Sequence, residues 1–178
     1  EALSRGPAGT QAHSPINLFE AAKTTDLVFE LDRHCRRRAL RTARDLPVPH
    51  MLFVNVVPAS MYDPDFQGTS LIKLLEGVGL SPERIVLEVS EGYAIENYQL
   101  FVEALQNFKQ IGFSIAVDDI GAGYSGLEKI AHLNPRYLKF DRELIRNIDS
   151  SYIRREMTRA LKAFADQIGS TIIAEGIE

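Results

Sequence analysis

Val117-Asp118-Asp119-Ile120-Gly121-Ala122-Gly123 is an apolar run that ends in two adjacent carboxylates and then in glycines. Neighbouring residues on a strand point to opposite faces of a sheet. Asp118 and Asp119 can therefore serve one site only where the strand ends and the backbone turns, which Gly121 and Gly123 permit. The same grammar recurs on both sides. Upstream lie Leu87-Glu88-Val89-Ser90-Glu91, Phe53-Val54-Asn55-Val56 and the opening Glu1-Ala2-Leu3-Ser4-Arg5. Downstream lie Leu138-Lys139-Phe140-Asp141 and Ile172-Ile173-Ala174-Glu175-Gly176-Ile177-Glu178. A short apolar run ending in a carboxylate, an amide or a lysine, repeated along one chain, describes a barrel whose strand tips converge on metal ions.

Strands are expected at Leu52–Val57, Ile85–Val89, Phe113–Val117, Tyr137–Phe140 and Thr171–Ala174. These runs are short and rich in Val, Ile and Phe, as suits strands buried on both faces of a parallel sheet. Helical spacing lies between them. Phe101, Ala104, Leu105, Phe108 and Ile111 form one apolar stripe; Ile153, Met157, Ala160, Leu161, Phe164 and Ile168 form another, ended by Gly169. A longer helical stretch covers Leu18 to Arg44, with a break near Thr24–Asp26. Gly6–Pro15 reads as loop. Alternating strand and helix admits an open or a closed sheet. An open doubly wound sheet gathers its ligand at one switch point, often with a Gly-rich phosphate loop. Here no such loop exists and polar residues end nearly every strand, which favours the barrel.

The 178 residues suffice for one domain with a sizeable core, and 45% hydrophobic with 25% charged residues is ordinary for a globular α/β chain. A net charge of −4 argues against a surface for DNA or RNA polymers. Cys35 is the one cysteine, which excludes an internal disulfide and a cysteine metal site; it reads as a small buried helix residue in a reducing compartment. His13, His34, His50 and His132 show no ligand spacing and read as surface or helix residues.

Several carboxylates at one barrel mouth repel one another unless cations sit among them. Oxygen-only ligation by Glu1, Glu88, Asp118, Asp119 and Glu175, with Asn55 as a neutral oxygen, suits Mg²⁺ or Mn²⁺. The competing reading is a ring of polar strand ends making capping hydrogen bonds. Lys139 lies inside an apolar run, where burial is costly unless the ammonium faces anions; the alternative is a lysine snorkelling at a strand edge.

The ordered motifs Glu1-Ala2-Leu3-Ser4-Arg5, Asn55, Glu88-x-x-Glu91, Asp118-Asp119-Ile120-Gly121-Ala122-Gly123-Tyr124-Ser125, Lys139 and Glu175-Gly176-Ile177-Glu178 resemble the EAL domain, the bacterial phosphodiesterase that linearises cyclic di-GMP to pGpG. The resemblance covers nearly the whole chain, residues 1–178. It implies a TIM-like (β/α)8 barrel, present here as an incomplete fragment: members carry a strand before the opening motif and a glutamine-bearing strand after the closing one. It implies two Mg²⁺ or Mn²⁺ ions held by Glu1, Asn55, Glu88, Asp118, Asp119 and Glu178. Glu175 would act as general base or water-positioning residue, Lys139 would orient the attacking water, Leu3 and Arg5 would bind substrate, and Glu91 would hold the neighbouring loop. It further implies a cytoplasmic protein, a homodimer formed through the loop after Asp119 and the adjacent helix, and attached sensory or regulatory domains. Ala122 stands where members have threonine, Ile120 where they have an aromatic residue, and Gly6-Pro7-Ala8-Gly9 where many have Trp-x-His-Pro. The rival to an enzyme is a cyclic di-GMP receptor that binds without cutting.

Overall fold

The computed structural model describes residues 1–45, 47, 50–90, 98–121 and 126–177. The chain divides into two compact units, residues 1–86 and 87–178.

In the first unit, helix α1 (Pro15–Thr24) starts with proline at its first position, where the missing N–H is no loss. It stops where Asp26 adopts a left-handed conformation (φ 58°), and helix α2 (Val28–Thr42) follows, so the break expected near Thr24–Asp26 is found. Strand β1 (Leu52–Asn55) buries Leu52 and Val54 and is joined in parallel by Ala2, which bridges to Val54. The strand is two residues shorter than expected: the Val57 N–H turns to the carboxylate of Asp32 at 3.3 Å and is lost to the sheet. Short 3₁₀ turns at Pro58–Tyr62 and Pro64–Phe66 lead to helix α3 (Gly68–Val78), none of which the periodicity announced. Gly79 closes α3 in the left-handed conformation (φ 69°), with the Leu80 N–H returning to the Leu75 carbonyl at 3.1 Å. Met61, Phe66, Leu71 and Leu75 form the core here with Leu40 and Ala43.

The second unit repeats strand and helix. Strand β2 (Ile85–Ser90) leads into it, followed by helix α4 (Tyr98–Ile111), strand β3 (Ser114–Ile120), helix α5 (Leu127–Leu133), strand β4 (Tyr137–Phe140), the short helix α6 (Arg142–Ile145), helix α7 (Tyr152–Gln167) and strand β5 (Thr171–Ala174). The strands lie in the order β2-β3-β4-β5. β3 pairs in parallel with β4, and β4 with β5. Parallel strands in sequential order, linked by helices, are the βα repeats expected of a barrel. The adjacent residues Val86 and Leu87 of β2, and Ile115 and Ala116 of β3, are all buried, as strands covered on both faces require. Ala104, Leu105 and Phe108 of the expected α4 stripe are buried as well.

Four expectations need correction. β3 does not stop at Val117 but continues to Ile120, because the register slips by one residue: Val117 pairs with Leu138 and Ile120 with Phe140. β5 is not buried on both faces; Thr171 and Ala174 are exposed and Ile172 and Ile173 half-buried. The α7 stripe faces outward at one end, with Ile153 70% and Met157 46% exposed, while Ala165 supplies the buried contact. Cys35 lies on α2 but is only half-buried. All four histidines are exposed.

Candidate active site

Parallel strands bring their C-terminal ends to one edge of a sheet. Glu88 near the end of β2, Asp118 near the end of β3, Lys139 on β4 and Glu175 just past β5 are gathered this way in the second unit. The Lys139 Nζ lies 2.7 Å from Glu88 Oε1, 3.0 Å from Asp118 Oδ2 and 2.7 Å from Glu175 Oε1. Three partners match the three hydrogens of an ammonium. Lys139 is 4% exposed and Glu88 1%, so these contacts form largely out of water. Burial by itself lowers the pKa of a lysine, but hydrogen bonds to Glu175, Glu88 and Asp118 outweigh it and raise Lys139 above its ordinary value. A lysine snorkelling at the strand edge is thereby excluded.

The slip in β3 separates the two aspartates. Asp119 takes a left-handed conformation (φ 63°), which an aspartate tolerates better than most residues. Its N–H donates to Asp118 Oδ1 at 2.9 Å, while Asp118 Oδ2 accepts from Lys139. Asp119 Oδ2 instead accepts a hydrogen bond from the Ser90 hydroxyl at 3.1 Å. Burial and the nearby Asp118 charge raise the Asp119 pKa, against the lowering effect of Ser90. Ser90 escaped the sequence reading; its position two residues after Glu88 on a strand was the available signal. The other end of the cluster is fixed by backbone: the Asp141 N–H donates to the Ile120 carbonyl and the Glu175 N–H to the Phe140 carbonyl, each at 3.1 Å. Asp141 caps α6 by accepting from the Glu143 N–H at 2.6 Å. Gly176, at φ 65°, turns the chain directly after Glu175 beneath the Arg142 side chain.

In the first unit, Asn55 Nδ2 donates to Glu1 Oε1 at 3.5 Å, and the Ala2 N–H donates to the Phe53 carbonyl at 2.9 Å. The opening motif thus runs alongside β1. Leu3 is exposed. Arg5 is exposed too, its guanidinium donating to the Ser4 carbonyl at 2.9 Å. Both line a cleft of about 850 Å³ in this unit together with Leu31, His34 and Arg38. Glu91, Glu178 and the loop 122–125 lie outside the described residues.

Three carboxylates around one ammonium leave a formal surplus of negative charge within the second unit. The donors are all oxygens, with Asp119 adjacent. That chemistry fits a hard divalent cation of the Mg²⁺ or Mn²⁺ type.

The acidic strand ends gather around a buried lysine on a parallel α/β sheet, as in the TIM-like barrel expected from the strand-end pattern. The EAL domain profile matches residues 1–178, and the chain belongs to the EAL domain family. Among solved structures, the chain is 32% identical to Klebsiella pneumoniae BlrP1, determined as a calcium/cy-diGMP complex and as a manganese/cy-diGMP complex. The TM-score is 0.83, covering 94% of this chain and 42% of BlrP1 in the calcium complex. The cyclic di-GMP phosphodiesterase PdeR of Escherichia coli K12 is 28% identical over 167 residues, covering 92% of this chain and 25% of PdeR. The blue light- and temperature-regulated antirepressor BluF of the same organism is 28% identical over 165 residues, covering 92% of this chain and 41% of BluF. The chain therefore spans less than half the length of these relatives. Among the described residues, no helix is long and apolar enough to cross a membrane.

Proposed function

We propose that this EAL domain hydrolyses cyclic di-GMP to linear pGpG in bacterial second-messenger signalling. The observation that supports it most is the Lys139 ammonium held by Glu88, Asp118 and Glu175 at the strand ends. Its support from relatives is the naming of PdeR as a cyclic di-GMP phosphodiesterase and the nucleotide in the BlrP1 complexes.

Glu88 and Asp118 would hold Mg²⁺ or Mn²⁺; Glu1, Asn55, Asp119 and Glu178 are assigned as further ligands from the family motifs. Two divalent cations bound there would lower the pKa of water and offset phosphate charge. Glu175 accepts the proton of the water that attacks phosphorus. Lys139 holds Glu175 and Asp118 in place and presents positive charge to the phosphate oxygens. Cleavage of the P–O3′ bond opens the ring; the 3′ alkoxide takes a proton from solvent water, and Glu175 returns its own proton to solvent. Arg5, a planar guanidinium suited to two phosphate oxygens, and Leu3 hold the substrate, and Glu91 keeps the adjoining loop in position. The reading extends to a cytoplasmic protein with attached regulatory domains and to a homodimer formed through the loop after Asp119.

The second reading is a receptor that binds cyclic di-GMP without cutting it, favoured by similarity to a relative named as an antirepressor. The full-length protein, stripped with chelator, separates the two. Conversion of cyclic di-GMP to pGpG on adding Mg²⁺ or Mn²⁺, and its suppression by Ca²⁺, is expected. Ca²⁺ tolerates irregular coordination and positions water poorly. Tight nucleotide binding with no product at any metal concentration would establish the receptor instead. Undiminished turnover in excess chelator would refute the metal-assisted mechanism.

A further inference from the structure

Asn55 is the last residue of β1, and the chain must leave the sheet immediately after it. Two residues on, the Val57 N–H donates to Asp32 Oδ1 of α2 at 3.3 Å. Asp32 is itself buried, and its second oxygen pairs with Arg36 Nη1 one helical turn away. Arg36, also buried, extends Nη2 to Asp63 Oδ2 at 3.0 Å and lays its guanidinium 4.2 Å from the centre of the Phe66 ring. Asp63 is fully buried and is gripped a second time by Arg33, whose Nε and Nη2 donate at 2.9 and 2.8 Å. The segment from Val57 to Asp63 is thus fastened to α2 at both ends. Burial lowers Arg36 to about 10, opposed by Asp63, so the guanidinium stays charged at neutral pH.

Stability does not account for so many buried charges, since well-packed apolar residues commonly do as well. What two buried aspartates supply and leucines do not is an acceptor at a fixed point. We propose that Asp32 is a positioning residue for Asn55: by accepting the Val57 N–H it fixes where β1 ends, and so where the Asn55 side-chain oxygen is presented to a metal ion. The proposal rests on the reading of Asn55 as a metal ligand. Asp32 and Val57 themselves fall outside every motif of the resemblance.

The test is Mn²⁺ binding to the full-length protein, followed through the paramagnetic resonance of the free ion, with unfolding temperature recorded in parallel. Asp32→Asn keeps an oxygen for Val57 but loses the charge; Asp32→Leu loses both. Val57→Pro deletes the donor and leaves Asp32 in place, at a backbone (φ −69°, ψ 128°) that proline accepts. Asp32→Leu and Val57→Pro are expected to weaken Mn²⁺ binding about tenfold, the usual scale for a group that orients a ligand, with Asp32→Asn within about twofold of the parent. Asn55→Ala is expected to weaken it at least as much. Normal Mn²⁺ binding by folded Val57→Pro overturns the positioning role, as does equal loss in Asp32→Asn and Asp32→Leu. Should Asn55→Ala bind Mn²⁺ normally, the metal reading of Asn55 falls, and the positioning role with it.

Discussion

Lys139 on β4 and Glu88 on β2 are two strands apart in the sheet, yet their charged atoms lie 2.7 Å from each other. Two strand spacings amount to roughly 9–10 Å, so the side chains meet by leaning over β3. Asp118 stands on that intervening strand and completes the contact at 3.0 Å. The lysine therefore cross-links three strands and, through Glu175, the end of a fourth.

Replacing Lys139 with methionine leaves three carboxylates facing one another without a cation. Removing one partner of a buried pair costs about 3–5 kcal/mol; Glu175 is 30% exposed, so the lower end applies. Urea unfolding at neutral pH measures the loss. Added Mn²⁺ is expected to recover more stability in the variant than in the parent, and cyclic di-GMP hydrolysis is expected to vanish.

Asp118→Asn keeps the shape of the side chain and removes its charge. Turnover is expected to fall about 10²-fold or more, the scale of losing a key electrostatic contact, while nucleotide binding persists. Parallel measurement of hydrolysis and of equilibrium binding distinguishes the two effects. Near-normal turnover contradicts the assigned role.

Asp63 gives a pH signature. Burial would raise its pKa, but the hydrogen bond from Arg33, the Asp65 N–H and both arginine charges hold it below the ordinary 3.8. A depressed carboxylate contributes its full stability above the ordinary value and loses it as pH falls through the folded one. Asp63→Asn is expected to cost about 3 kcal/mol at pH 7. The gap between parent and variant in denaturant unfolding is expected to narrow only as the pH drops below about 4. A gap that is constant from pH 7 to acid refutes the charge pairing.

Gly176 carries a strain test. A methyl group at its α-carbon would overlap the Arg142 side chain from Cβ to Cδ, on a backbone at φ 65°. The left-handed conformation alone costs a non-glycine residue about 1–2 kcal/mol. Gly176→Ala is expected to lose that and more, and to reduce turnover by about 10-fold or more through displacement of Glu175. Adding Arg142→Gly, which removes the Cβ, Cγ and Cδ that the methyl group would meet, is expected to restore the steric part and leave the backbone part, which a double-mutant cycle reads directly.

The strand-end residues of the second unit are readable because chemistry and periodicity coincide there: Glu88, Asp118 and Glu175 each fall at the end of an apolar run, and Lys139 interrupts one. The partition between Asp118 and Asp119 was not readable. It depends on a register slip that only pairing with β4 creates. The 3₁₀ turns after Pro58 and Pro64 were missed for a similar reason. Their geometry is set by Asp32, which holds the Val57 N–H 25 residues away, and by Asp63, which reaches Arg33 and Arg36 30 and 27 residues away in sequence. The exposure of Ile153 and Met157 also escaped a reading by helical period, which says that residues share a face but not what covers it.

The slip in β3 has a consequence for how this segment tolerates change. One extra residue between Val117 and Ile120 keeps Ile120 buried opposite Phe140. Substitution at Asp118 or Asp119 alters a functional group and leaves that frame intact. Deleting either residue alters the frame itself: the remaining carboxylate inherits both addresses, Ile120 moves to the face it now avoids, and the Asp141 N–H loses the Ile120 carbonyl. The two aspartates are independent as letters but inseparable as a length, so this locus can drift by replacement and not by insertion or loss.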